Sequence, residues 1–505
     1  MARLFIFAIG GTGSRVLKSL AMILAAGVKP NTDKQYEIVP IIIDPHKANE
    51  DLKRTVSILN NYQEINKSIG NDNGFFGTKV STLENIIPSN TLSSTFTFNL
   101  QETSDKKFRD YIDYNSQSKA SQSLSDLLFS GETINKRGDK VDLLDIEMDI
   151  GFIGNPNIGS VVLNQFKDSI EFKEFASNFN EQDRIFIISS IFGGTGAAGF
   201  PIILKNIRGA INNQGIDGKG FLQNSKIGAI TVLPYFNIAK NEGSPIQKSD
   251  FIAKSKSALY YYKDNVTGNN SVNALYYIAD DFSGKPYKND PGDQGQKNDA
   301  HFVELASALS IIDFLEIPDH QLQTAEGKAR NPIYREFGIK KDIESVNLPL
   351  LGNSTQNRLN LPLSQFYLFR KYIKEQLPLS IDEQVWSNNE PCIGSSFLST
   401  KFYKNYLSEF FVAFDDWIKE LSENRRGFKP FVQDAILRYF IQDIETDYGL
   451  FMKKFGYKYF DASLNKNSRR KDLNTPEAKF IKLFHITTEE ILKKKFSHFK
   501  NMSNE

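Results

Sequence analysis

Two runs of small residues in this sequence have the makings of a phosphate cradle. Gly10-Gly11-Thr12-Gly13-Ser14 follows the apolar stretch from Arg3 to Ile9, and Gly193-Gly194-Thr195-Gly196-Ala197-Ala198-Gly199 follows the apolar stretch from Ile185 to Ile191. In neither run does a side chain larger than Thr stand at the turn into the next periodic segment. A backbone that bare lets a bulky anion approach. A helix beginning there aims free N–H groups and the positive end of its dipole at the same point, and the hydroxyls of Thr12 and Thr195 add donors. Neither run is a Walker loop, because no Gly-Lys-Ser/Thr follows, and neither has the GxGxxG spacing of a dinucleotide turn. Each run alone equally fits an ordinary tight strand-to-helix connection.

The elements that must position these turns are legible by periodicity. Arg3 to Ile9, Glu37 to Ile43, Ile185 to Ile191, 226–236 and 274–281 are apolar runs of strand length, the pattern of a parallel sheet covered on both faces. A helix from Ser14 to about Ala26 joins the first two, which makes a right-handed βαβ unit. The second strand ends in Asp44, which is also a natural turn former or helix N-cap. Gly154-Asn155-Pro156 opens another helix near Ile158. Residues 298–316 recur at helical spacing and are apolar most of the way round, so that helix is expected at the centre of the molecule. Residues 51–145 are rich in Asn, Ser, Thr, Lys and Asp and read as an insertion that elaborates the surface, partly in loops. From about Gln321 the texture changes: Pro332, Pro349, Pro362 and Pro378 punctuate the chain. Helices are then expected at 363–376, 400–422, 430–456 and 475–499, the last begun by Thr475-Pro476-Glu477.

The totals exclude several classes. Across 505 residues, 61 Lys and Arg balance 60 Asp and Glu, so nothing argues for nucleic acid. The single cysteine, Cys392, forms no internal disulfide. With no signal peptide evident, a reducing, cytoplasmic setting is expected. No run approaches the roughly 18 apolar residues of a membrane helix. The five histidines show no metal-ligand spacing, so no metal site is expected.

The order of these features resembles the tubulin/FtsZ superfamily. FGGTGAAG at 192–199 is similar to that family's signature glycine loop, GNPNIGSVVLNQF to its Asn-Pro loop and helix, and GGTGS to its first phosphate loop. Asn298-Asp299 stands where the family places base-reading residues. The wording of IGGTGSRVL and VELASALSIIDFLE is closest to poorly described bacterial tubulin-like proteins. The resemblance spans roughly residues 1–320. It implies an α/β fold: a Rossmann-type parallel-sheet nucleotide-binding domain over 1–297 with the insertion at 51–145, a central connecting helix and loop over 298–320, and a mainly helical C-terminal domain over 321–505. It also implies GTP or GDP, with Mg²⁺, on Gly10, Gly11, Thr12, Gly13, Ser14, Asp44, Gly154, Asn155, Pro156, Gly193, Gly194, Thr195, Gly196 and Ala197. The ribose would meet Glu242, and the base would meet Asn298 and Asp299. Self-association would run head to tail into filaments or rings, and the C-terminal helices offer a surface for a protein partner.

The loop after the central helix reads EIPDHQLQTAEG and lacks the family's Asn-x-Asp-x-x-Asp triplet. Its acids, Glu316 and Asp319, are the catalytic candidates, although Asp319 also fits a turn after Pro318. A central helix of about 19 residues is about 28 Å long, so these acids would serve only the nucleotide of a neighbouring subunit. The three glycine-bearing turns carry no acid or base, and slow hydrolysis by an isolated protomer is the expectation. A nucleotide-gated switch or scaffold with little turnover is the second reading, and an NAD- or FAD-binding Rossmann enzyme the third.

Overall fold

The computed structural model describes the chain apart from residues 47–48, 71–73, 88–94, 102, 104–105, 135–138, 149–150, 153, 211–218, 236, 239–247, 281–285, 288–297, 338–342, 425, 448–454, 470–473, 501 and 503–505. Its principal elements are β1 (Ala2–Ile9), α1 (Gly10–Ala25), β2 (Tyr36–Ile43), α2 (Glu50–Ile69), α3 (Pro156–Leu163), α4 (Ile170–Asn178), β3 (Arg184–Ser190), α5 (Gly194–Arg208), β4 (Lys226–Val232), α6 (Lys248–Tyr262), β5 (Ala274–Ile278), α7 (Phe302–Glu316), β6 (Ile333–Phe337), α8 (Asn353–Glu375), α9 (Ser408–Glu423), α10 (Tyr457–Asn467) and α11 (Pro476–Lys495).

The six strands form one parallel sheet in the order β6-β5-β4-β3-β1-β2. Every residue of β2, β3 and β4 is buried, as their unbroken apolar runs require of a sheet covered on both sides. On one face the rings of Phe5 and Phe7 meet Phe166, Phe175 and Phe179 in and around α4. On the other, Phe186 packs against Phe314 of α7. From β1 the chain moves outward to β2 and then returns to β3 on the opposite side. The reversal of strand order therefore falls between β1 and β3, and both glycine turns leave the carboxyl ends of those two strands. In open α/β sheets that crevice is where ligands bind.

The parallel α/β sheet and the helical C-terminal half agree with the sequence reading, while several details differ. The sixth strand, β6, lies past the point where the sheet was expected to end. Ile-Tyr-Arg-Glu-Phe is an edge strand with Tyr334, Arg335 and Glu336 exposed, so it lacks the buried-strand signature. Residues 51–145 are not a surface elaboration throughout. α2 buries Ile58, Leu59, Tyr62 and Ile65, and Phe75, Phe76, Phe96, Phe98 and Phe108 are core residues spaced among polar ones. The outer edge of β2 is closed by this segment: Ile38 bonds Lys79 and Ser81, and Ile42 bonds Phe96 and Phe98, at 2.7–3.0 Å. Pro40, with no N–H to donate, falls between the two bridges.

The helix expected at 430–456 is absent among the described residues of that range. Turns and a Phe431–Ile441 bridge replace it. Phe431 and Phe440 both stack on Tyr367 of α8, and this tertiary stacking outweighs a helical periodicity of modest propensity. No helix among the described residues is long and apolar enough to cross a membrane.

Gly228 on β4 is the seat of α7. A Cβ there would stand 2.8 Å from the rings of both Phe186 and Phe314. Gly228→Ala is expected to destabilise the fold by about 1–3 kcal/mol through overpacking, read as a lowered denaturation midpoint at unchanged slope. An unshifted midpoint would show that α7 does not rest on the sheet there.

Candidate functional site

Three helices begin at one place without side-chain caps. α1 starts at Gly10 behind Ile9, α3 at Pro156 behind Asn155, and α5 at Gly194 behind Gly193. In each the first turn has no acidic residue and no side-chain cap bond. Asn49 caps α2, Ser169 caps α4 and Thr475 caps α11, with acceptor distances of 2.8–3.1 Å, whereas α8 and α10 also begin without a side-chain cap or a first-turn acid. What sets the three ends at the glycine turns apart is that they meet, each with orphan N–H donors and a positive dipole end.

The turns touch one another. A Cβ built on Gly10 would stand 3.4 Å from Thr195 Cβ, and one on Gly194 would stand 2.9 Å from the Asn155 amide nitrogen and 3.0 Å from Gly154. Their glycines divide by task. Gly10 has φ +70°, a conformation that side chains resist. Gly13 and Gly196 serve packing, since a Cβ on either would come within 2.6 Å of the backbone of Ala8 or Ser190. Gly11 is different: an added Cβ meets only Arg15 Nη1 at 3.6 Å and Asn49 Nδ2 at 3.7 Å. The backbone at Gly11 is bare without a packing reason.

The expected ligand residues fall in different settings. Thr12 is buried, and Thr195, Asn155 and Pro156 are half-buried at the junction. Ser14 is turned inward: its hydroxyl donates to the Gly10 carbonyl at 3.4 Å, and its own carbonyl accepts from Thr55. The Ala197 amide is spent on the Gly193 carbonyl, and its carbonyl accepts from Tyr262. Asp44 sits beside the first turn, because Ile9 and Ile43 are register partners. Its Oδ1 accepts the His46 N–H at 3.0 Å. Burial, reinforced by Asp51, pushes its carboxyl up to about 7. Asp44 also lines one end of a cleft of about 1110 Å³ along α2 and Phe98, to which none of the three turns contributes. Glu242 lies outside the described residues.

Asn298 and Asp299 do not open the central helix. α7 begins at Phe302, where His301 is the N-cap and forms a capping box with Glu304. Asn298 is tied to Asp51 of α2 through its amide at 2.8 Å and its backbone N–H at 3.1 Å. Asp299 is exposed. Glu316 and Asp319 lie at the opposite, amino-terminal edge of the sheet, and both are engaged within their own chain. Asp319 pairs with Arg184 at 2.6 Å, Lys34 at 2.8 Å and Lys226 at 3.3 Å. Burial opposes its charge, yet those cations hold the carboxyl well below the usual carboxylate range. Glu316 pairs with Arg358 and accepts the Asn31 N–H. Neither stands ready as a free acid.

Two features escaped the sequence reading. Arg15, directly after the first glycine turn, is buried between Glu304 at 2.6 Å, Tyr235 at 2.8 Å and Asp51 at 3.3 Å, and Tyr235 also donates to Glu304 at 2.7 Å. The signal was there: Glu304 is an acid in a helix apolar all round, which requires a buried partner. Lys254 of α6 donates to the Gly154 carbonyl at 2.7 Å and brings a cation to the rim. Among the described residues no group of three or more His, Cys, Asp or Glu is placed to hold a metal ion.

No protein-family model and no curated protein matches the sequence. Among solved structures the fold is similar to CetZ from Methanosaeta thermophila, with a TM-score of 0.30, 11% identity, and coverage of 65% of this chain and 56% of that one. It is also similar to CetZ2 from Haloferax volcanii, solved as a GTPγS-bound protofilament, with a TM-score of 0.28, 12% identity, and coverage of 63% and 58%. The chain thus spans less than two thirds of either.

Asp44 generates a pH prediction. Its carboxyl titrates near 7 in the folded chain against 3.8 as its ordinary value. The folded state thus binds the extra proton between those values, and stability falls as pH rises through that window. Asp44→Asn keeps an acceptor for His46 and removes the burial of charge. The variant should unfold at higher denaturant than wild type at about pH 8, and the gain should fade towards about pH 4. A pH-independent difference would contradict the assignment.

Proposed function

We propose that this chain is a tubulin-type guanine-nucleotide-binding protein that turns nucleotide over slowly as an isolated protomer. One observation carries the reading: three uncapped, acid-free helix N-termini meet at the carboxyl edge of the sheet, at the point where strand order reverses. Their N–H donors suit the phosphate chain, with Gly11 leaving room for it to approach. Thr12 and Thr195 add hydroxyls, and Lys254 adds positive charge at the Asn155 turn. Asp299 accepts from the Watson–Crick edge of guanine, whose ring N–H and amino group are both donors. Mg²⁺, when bound, would offset phosphate charge; among the described residues no group of three or more His, Cys, Asp or Glu is placed to hold it, so the nucleotide would have to supply most of its ligands.

Slow turnover follows from what the turns lack. No side chain in 10–14, 154–159 or 193–199 is an acid or base that could deprotonate water. Glu316 and Asp319 lie at the far edge and would act only on a subunit stacked head to tail, a heterologous contact that builds filaments or rings. The internal pairing of Asp319 with three cations favours the second reading, a nucleotide-gated switch or scaffold with little turnover even when assembled.

Gly11→Val is the test of the cradle, because a Cβ added there meets nothing nearer than Arg15 Nη1 at 3.6 Å. Nucleotide affinity should fall more than about tenfold, since a blocked approach costs the phosphate its charge-assisted bonds, while the denaturation midpoint stays put. Unchanged affinity would displace the site. Gly194→Val would not serve, since its Cβ collides with the Asn155 turn. Chromatography of nucleotide retained by the purified protein separates guanine from NAD or FAD.

Turnover per protomer, followed across protein concentration with sedimentation alongside, separates the remaining readings. A rate that rises with assembly supports filament-coupled hydrolysis, and a flat, low rate supports the switch. Fast turnover by the monomer would overturn both.

A further inference from the structure

The short segment from Asn298 to Ala300, which leads into α7, is gripped from two sides by distant parts of the chain. On one side Asp51 of α2 holds Asn298 by its backbone and its amide, at 3.1 and 2.8 Å. On the other, α9 of the helical C-terminal half holds Ala300 by both of its backbone groups. Glu420 Oε2 accepts the Ala300 N–H at 2.9 Å, and Asn424 Nδ2 donates to the Ala300 carbonyl. Glu420 is itself fixed: Lys18 of α1 donates to Oε2 at 3.0 Å, Arg54 of α2 donates to Oε1, and the residue is 7% exposed. Asp299 stands between the two grips and remains exposed.

This arrangement is more than adhesion between two halves. Lys18, Arg54 and Glu420 would already join α1, α2 and α9 without Ala300. Instead the carboxylate also takes a backbone N–H from Ala300, the residue directly after Asp299, and Asn424, the C-cap of α9, donates to the carbonyl of that same residue. With the N–H of the Asp299–Ala300 peptide and the C=O of the next peptide both held, the backbone around Ala300 has little freedom left. The main chain that carries Asp299 is then ordered before a ligand arrives.

We propose that Glu420, supported by Asn424, is a positioning residue for base recognition: by fixing Ala300 it holds the Asp299 carboxylate in register with the base of a nucleotide seated on the glycine turns. This rests on the guanine reading proposed above. Selectivity for guanine is then set by the docking of a C-terminal helix that does not itself touch the base. A movement of α9 changes which base is bound without altering the phosphate cradle.

The test measures affinity for GTP, ATP and inorganic pyrophosphate in wild type, Glu420→Gln and Asn424→Ala, with denaturation midpoints alongside. Wild type should prefer GTP over ATP. In both variants the GTP-to-ATP affinity ratio should drop about fivefold or more, as a carboxylate out of register forfeits its bonds to the base, while pyrophosphate affinity changes less than about twofold. Asn424→Ala leaves the ion pairs intact, so it keeps the test decisive if Glu420→Gln folds poorly. A ratio unchanged in a folded variant whose midpoint has dropped would mean that Glu420 and Asn424 are glue alone, and the proposal falls. A wild-type ratio near one would instead remove the guanine reading, and this inference with it. Equal losses for GTP, ATP and pyrophosphate would also overturn it, because the variants would then be acting on the cradle.

Discussion

The site depends on how closely two helices approach the strands that precede them. α1 folds back on Ala8 and α5 on Ser190 at distances that no Cβ tolerates, so Gly13 and Gly196 are conditions of the fold before they are conditions of any binding. That closeness places the first turns of both helices side by side at the β1/β3 reversal. The resulting patch of backbone donors is shared between two chain segments about 180 residues apart. The third turn, at Asn155, is pressed onto Gly194 by α3, whose Gly159 nestles against Ala198. Small residues here thus do two jobs that a motif search cannot separate: most bring elements together, and Gly11 leaves a surface open.

Beneath this patch lies a buried ionic network whose charges all need partners. Arg15 would cost several kcal/mol if buried alone, and it is matched by Glu304 of α7, Asp51 of α2 and the hydroxyl of Tyr235. Removing any one of the acids leaves a guanidinium short of its compensation, the most damaging way to disturb such a cluster. His301, next to Glu304, stays neutral: burial, with Arg15 and Arg426 nearby, pushes its imidazole down to about 3. The cluster thus gains no charge from His301 across the neutral range. It links the first helix, the edge helix and the central helix directly behind the glycine turns.

How much of this could be read in advance depended on whether a residue's partner was near in sequence. The buried strands, the helices behind the glycines and the apolar central helix announce themselves by local pattern. The core role of Phe75, Phe76 and Phe108 did not, because they stand in polar stretches without a helix or strand period, and Phe76 finds Phe366 and Phe410 far along the chain while Phe108 meets Phe129. β6 was hidden by its polar edge. Residues 430–447 followed a helical rhythm, but Tyr367 supplies a flat surface that draws Phe431 and Phe440 into stacks that a helix would not allow. In the site, the glycines, the Asn155 turn and Asp44 were legible as a set. The pairing of Asp319 with Arg184, Lys34 and Lys226 was not, since three cations from three separate strand entrances meet there only in the folded chain.

The covering of β2 by Lys79–Ser81 and Phe96–Phe98 has a consequence for how copies of the molecule can meet. On that side the ladder's hydrogen-bonding capacity is consumed internally, and on the other side β6 presents Arg335 and Glu336 to the solvent, charges that discourage strand pairing. Neither flank offers a template for a neighbouring sheet to extend. Sideways, amyloid-like continuation of the sheet is thereby discouraged. The two ends of the strands differ in character, one lined with amide donors and the other with the cations gathered around Asp319, so the sheet has a chemical polarity along its strand axis.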